Sequence, residues 1–200
     1  MSKSLCATTA LAALVLAACN PESGGAPDQQ NQAANAVQDH AAGVVGTAAG
    51  PAGATTDEGF VSNAAIGGMY EVEAGRIAAQ RSQSPAVKAL GERMVRDHTK
   101  ANDELKPIAT AAGLTPPAAL DQRHQGLIDN LRGATDQDFD RVYLQQQEAA
   151  HNETNALLTT YASTGGNADL KAWANKTLPT IHAHQAAVDG LDEANADAPD

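Results

Sequence analysis

Four residues carry the chemistry this chain could do: Glu71, His98, His151 and His184. Projected at about 100° per residue, each falls on or beside the apolar face of a different helical stretch. Glu71 sits in the middle of a face made by Phe60, Ala64, Gly68, Val72, Gly75 and Ala78, whereas Glu73 falls on the opposite, polar face. His98 lies among Val87, Leu90, Met94, Ala101, Leu105 and Ile108. His151 is at the edge of a stripe of Phe139, Tyr143, Ala150, Leu157, Leu158 and Tyr161, with Glu148 one turn earlier. His184 belongs with Leu170, Trp173, Ala174, Thr177, Ile181, Val188 and Leu191, and His182 points away.

A buried carboxylate without a partner costs several kcal/mol, so such a layer must be satisfied. Three imidazoles and one carboxylate suit a single zinc, iron or copper ion. A hydrogen-bonded Glu–His network that fixes helix register would satisfy it as well. A ferritin-type di-iron centre needs a Glu-x-x-His pair on each of two helices. Only Glu148 and His151 have that spacing; Val95 and Ile181 stand three residues before the other two histidines. No nucleophile with its base, phosphate-cradling glycine loop or Cys-x-x-Cys-His haem attachment is present, so no complete catalytic set is visible.

The elements that must position these groups are helices. Thr55 with Glu58 fits a capping box for a helix running to about residue 81. Ser84-Pro85 opens the next, which Gly113 ends, with Pro116-Pro117 beyond and Pro107 in its last turns. A short helix spans about 120–131. Thr135 with Asp138 opens a third long helix ending near Gly165-Gly166. The fourth runs from about 167 to 194 and contains Pro179, which removes a backbone donor one turn before His184 and frees a carbonyl nearby. At 1.5 Å per residue the ionisable pair in each hairpin is level within about 5 Å. The spacing predicts one polar layer inside an all-α four-helix bundle, with the short extra helix in the link between its halves. Gly67, Gly68 and Gly75, one turn from Glu71, either clear space for a ligand or allow close helix packing.

The start of the chain sets an expected compartment. Lys3 precedes an apolar run, residues 5–18, too short to span a bilayer as a stable helix. Leu16-Ala17-Ala18-Cys19 looks like the lipobox of bacterial lipoproteins, which implies removal of residues 1–18 and lipid on the Cys19 sulfur. Asn20, rather than aspartate, then points to the outer membrane. The only other cysteine is Cys6, so the processed chain would hold no disulfide. The chain has 13 basic and 24 acidic residues; without Lys3 the net charge is −12. That balance repels phosphate backbones and anionic lipid, so nucleic acid is excluded as a partner and membrane contact falls to the anchor. Residues 19–55 have no aromatic side chain and few large apolar ones. They read as a disordered tether, His40 included, with an average reach of about 30–35 Å. Residues 56–194 read as the bundle and 195–200 as a loose tail.

The runs FVSNAAIGGMYEVEAGRIAAQRSQSPAVKALGERMVRDHTKANDELK, FDRVYLQQQEAAH and LKAWANKTLPTIHAH resemble domain of unknown function 4142, a family of ferritin-like bacterial envelope proteins. The resemblance spans 57 to about 191 and implies a ferritin-like fold. It matches Glu71, Asp97-His98, His151 and His184 to polar positions that recur in the family's motifs. Ala150 stands where the family often has aspartate, leaving Asp97 and Glu148 as the carboxylates that would back the ligands. The expectation is an outer-membrane lipoprotein facing the periplasm. Its Glu/His layer either binds one transition-metal ion in metal homeostasis or stress protection, or only specifies the fold of a structural protein.

Overall fold

The computed structural model describes residues 55–196, with side chains to residue 194. The expected export segment, Cys19, the expected tether up to residue 54 and the last four residues lie outside the described residues. Five helices follow one another: α1 Asp57–Arg81, α2 Pro85–Ala111, α3 Gln122–Gly133, α4 Phe139–Thr164 and α5 Ala168–Ala196. None of them is long and apolar enough to cross a membrane.

Local chemistry sets the helix ends. Thr56, not Thr55, caps α1: its hydroxyl accepts from Gly59 N at 3.1 Å. Either threonine could cap, and Glu58 joins Asp57 in the first turn, where both carboxylates meet the positive end of the helix. Ser84 caps α2 with proline behind it. Gly113, at φ +76°, ends that helix, with Leu114 N donating to Ala109 O and Gly113 N to Thr110 O. Asp121 caps α3 through His124 N at 2.8 Å, so this helix starts two residues later than expected. Thr135 and Asp138 do bond one another, at 2.8 Å, but they close a turn ahead of α4. Asp138 then turns its other oxygen to Arg141. Asn167 caps α5 through the amides of Asp169 and Leu170, and the helix runs two residues beyond the expected end.

Short turns pair α1 with α2 and α4 with α5. The two hairpins then dock, α1 on α4 and α2 on α5. Phe60, at the start of α1, stacks on Tyr161 near the end of α4 at 3.8 Å between ring centroids. Arg81, at the end of α1, lies 4.7 Å over the Phe139 ring at the start of α4. The helices α1 and α4 are therefore antiparallel. The link from α2 to α4 must cross the length of the bundle, and α3 completes that crossing against α1 and α4. This is the ferritin-like arrangement with one long crossover. Arg81 fixes the crossover's end by donating to the carbonyls of Leu131, Arg132 and Ala134.

The core is two apolar clusters with a polar layer between them. One holds Tyr70, Ile77, Leu90, Met94, Leu131, Phe139 and Val188. The other holds Phe60, Leu105, Leu158, Tyr161, Trp173 and Ile181. Glu71, His98, His151 and His184 are all buried where the clusters meet. Gly68 and Gly75 of α1 serve close packing, whereas a Cβ on Gly67 would meet only Thr154 Oγ1, at 4.0 Å. A Cβ on Gly68 would stand 2.1 Å from Asn102 Oδ1, and one on Gly75 would stand 2.7 Å from the Gly91 carbonyl oxygen.

Candidate metal centre

Three helices from both hairpins each deliver one imidazole to a single point. His98 follows Met94 by one turn on α2, His184 stands between Ile181 and Val188 on α5, and His151 rises from α4 above Gln147. The ring centroids are 5.6 Å apart for His98–His151, 5.2 Å for His98–His184 and 5.3 Å for His151–His184. Each ring offers a nitrogen, and these nitrogens all lie within 4.8 Å of one another.

The hydrogen bonds fix the tautomers. His151 Nδ1 is 2.8 Å from the Gln147 carbonyl oxygen, which can only accept, so Nδ1 carries the proton and donates. His184 Nε2 is 2.8 Å from Asp97 Oδ2, so Nε2–H donates to that carboxylate. With both rings neutral, the remaining nitrogens, His151 Nε2 and His184 Nδ1, present lone pairs to each other at 3.2 Å. Two lone pairs at that distance repel unless a cation lies between them. The buried Nε2 of His98 has no hydrogen-bond partner.

A proton is a poor occupant here. Burial pushes the His184 pKa down to about 4, with His151 and Arg93 adding to the effect and Asp97 opposing it. Burial also holds His98 well below the ordinary histidine range, helped by His151 and His184. Neutral imidazoles are what a metal needs. An ion 2.0–2.1 Å from three nitrogens sets them about 3.3–3.6 Å apart, so small ring rotations would close the site.

Glu71 stands elsewhere. Its Oε1 lies 3.6 Å from His151 Nδ1, whereas His184 meets His151 at Nε2, on the other side of the ring. The expected layer of four thus divides into three converging imidazoles and one carboxylate beside them. Both oxygens of Glu71, the side-chain amide of Gln147 and the hydroxyl of Tyr143 are buried without a hydrogen bond of normal geometry. Burial raises the Glu71 pKa, and His151 and the nearby Gln147 amide offset only part of that.

The two outer carboxylates also differ. Asp97 bonds His184 as described, with its side chain 32% exposed and Arg93 Nε 3.5 Å away. Glu148 is exposed, because it lies about 100° around α4 from Gln147, which takes the place beneath His151. Sequence reasoning missed the buried amides and Tyr70. Tyr70 donates to Gln146 Oε1 at 2.9 Å, and Gln146 donates in turn to Asn130 Oδ1 at 2.9 Å. Gln147 is four residues before His151, and that spacing was the available signal. Pro179 is exposed. Outside the layer, His182 is exposed and bonds Asn155, and Glu73, half-buried, pairs with Arg132 at 2.7 Å.

The profile of a domain of unknown function, DUF4142, matches residues 42–191. The chain belongs to the DUF4142 family. No curated protein matches it. Among solved structures it is similar to CopM in the Cu(II)-bound form, with 19% identity and a TM-score of 0.60 over 69% of this chain and 96% of that one. CopM in the Cu(I)-bound form gives 16% identity and a TM-score of 0.60 over 72% and 99%. CopM in the silver-bound form gives 19% and 0.58 over 69% and 96%. These likenesses are of fold.

Proposed function

We propose that this DUF4142 protein binds one copper ion between His98, His151 and His184 and buffers copper in the cell envelope. The observation that carries this is the unprotonated pair, His151 Nε2 and His184 Nδ1, facing each other at 3.2 Å. A cation between them removes the repulsion, and His98 Nε2 supplies the third donor. Three imidazoles suit copper as well as zinc. The copper-bound and silver-bound forms of CopM, alike in fold, favour copper. Glu71 acts as a buried counter-charge beside His151. We further propose that Cys19 carries lipid and holds the protein at the outer membrane, with the bundle facing the periplasm.

The second reading is a network that specifies helix register. It is favoured by the chain of contacts from Asp97 through His184 and His151 to Gln147, which one added proton would complete. Elemental analysis of protein purified without chelator separates the two, followed by titration with Cu(I), Ag(I), Cu(II), Zn(II) and Fe(II). Copper at about one equivalent and a raised thermal midpoint are expected. A midpoint unmoved by every ion overturns metal binding and leaves the network.

A further inference from the structure

We propose that the ion reaches the three histidines through the groove between α2 and α5, by way of Asp97. The inference rests on the copper reading and adds the path to the site. His98, His151 and His184 are 6%, 1% and 0% exposed, so the ion cannot arrive without something opening. Among the described residues, Asp97 is the half-exposed side chain that hydrogen-bonds a ring of the triad. Its carboxylate also lines a cavity of about 300 Å³, together with Arg93, Lys100, Lys176, Thr180 and Ala183. A larger cavity of about 440 Å³, beside α1, α2 and α3, is lined by none of the three histidines and none of their hydrogen-bond partners.

The path needs one contact to open. An ion entering the groove meets the Asp97 carboxylate, a hard oxygen donor that holds it loosely. Release of the bond between Asp97 and His184 frees the imidazole to turn about Cβ–Cγ. Half a turn brings Nδ1, the nitrogen with the free lone pair, to the groove side, where it takes the ion. Turning back restores the bond to Asp97 and sets the ion against His151 Nε2 and His98. The charges facing the groove are Arg93, Lys100 and Lys176 against Asp97 and Glu104. Lys176 is held by Glu104 at 2.9 Å and Arg93 stands 3.5 Å from Asp97. Lys100 then opposes an incoming cation.

The test is the rate of Cu(II) uptake by the full chain, read by quenching of Trp173, its one tryptophan. That indole donates to the carbonyl of Ala101 on the groove wall. Ala183→Phe fills the groove and replaces none of the three histidines. It should slow uptake and release alike by about tenfold or more and leave Kd unchanged, since a route alters a barrier and not an equilibrium. Where Ala183→Phe fails to fold, Thr180→Phe fills the same space. Lys100→Glu should speed uptake at low salt. Ala119→Phe, in the larger cavity, should change nothing. Wild-type uptake rates in both groove variants overturn the route while leaving the copper site standing. No uptake of either Cu(II) or Cu(I) by the wild-type protein overturns the site and the route together.

Discussion

Gly75 of α1 and Gly91 of α2 meet backbone to backbone: a Cβ on Gly91 would stand 2.6 Å from the Gly75 carbonyl oxygen, and one on Gly75 2.7 Å from that of Gly91. Neither carbonyl can swing aside as a side chain would. Gly91→Ala should therefore destabilise the protein by about 1–3 kcal/mol, although alanine is the better helix former. Gly190→Ala is the control, since nothing lies within 4 Å of its added methyl. It should stabilise by up to about 1 kcal/mol. Urea unfolding of both variants checks this; a more stable Gly91→Ala protein would contradict the close approach.

The triad predicts a pattern among neighbours. At free copper of 100 times Kd, the native state should gain about 2.7 kcal/mol, or about 5–10 °C in thermal midpoint. His98→Ala and His184→Ala should abolish that gain. His182→Ala should keep it, since His182 is exposed and bonded to Asn155. Loss of the gain in His182→Ala would move the site off the buried face.

Acid should weaken the metal-free protein through its histidines. An unfolded histidine takes up its proton near pH 6.5, whereas His184 does so only at about 4 when folded. Between those values the unfolded chain holds the extra proton, so stability falls as pH falls. His184 alone accounts for a loss on the order of 3 kcal/mol by pH 4, and His98 adds in the same direction. Urea midpoints measured from pH 8 to pH 4 read the slope; a flat profile would mean the rings are not held neutral.

Glu71 works in the opposite direction. Its folded pKa is raised, so the native carboxyl keeps a proton above pH 4.5 that the unfolded chain has lost. Its burial therefore costs stability as pH rises through the folded pKa. Glu71→Gln should raise the stability of the metal-free protein at neutral pH by about 1–3 kcal/mol. It should also weaken copper without abolishing it, because the counter-charge goes while the three nitrogens stay. Binding lost as completely as in His98→Ala would make Glu71 a ligand rather than a neighbour.

Cys19→Ser should leave the protein unlipidated and soluble in the periplasm. Fractionation of cells making the variant tests this; a variant still held tightly by membranes would end the anchor proposal.

What the sequence disclosed follows from the range of each interaction. Ser84, Gly113 and Asn167 act within four residues of themselves, so their helix ends could be read directly. Thr55 and Thr56 are chemically alike neighbours, and only the helix geometry selects between them. Projection at about 100° per residue placed all four ionisable groups inside, because burial depends on angle around a helix and little else. Angle and height do not say which side of an imidazole a carboxylate will occupy. Glu71 beside His151 Nδ1 and Asp97 against His184 are outcomes of docking between helices far apart in sequence. Gln146, Gln147 and Tyr70 were hidden for a related reason. Amides and phenols look like surface until a partner from another helix covers them.

His98 belongs to the first hairpin, while His151 and His184 belong to the second. An ion held by all three would be a staple across their interface, joining residues 86 apart in the chain. Residues 55–196 contain no cysteine, so no covalent bridge does this work within the bundle. Closing a loop of that length removes freedom from the unfolded chain, on the order of 4 kcal/mol if the ion stays bound there. A disulfide in the same place would yield only to a reductant. This staple would open to a chelator or to acid and form again with the next ion.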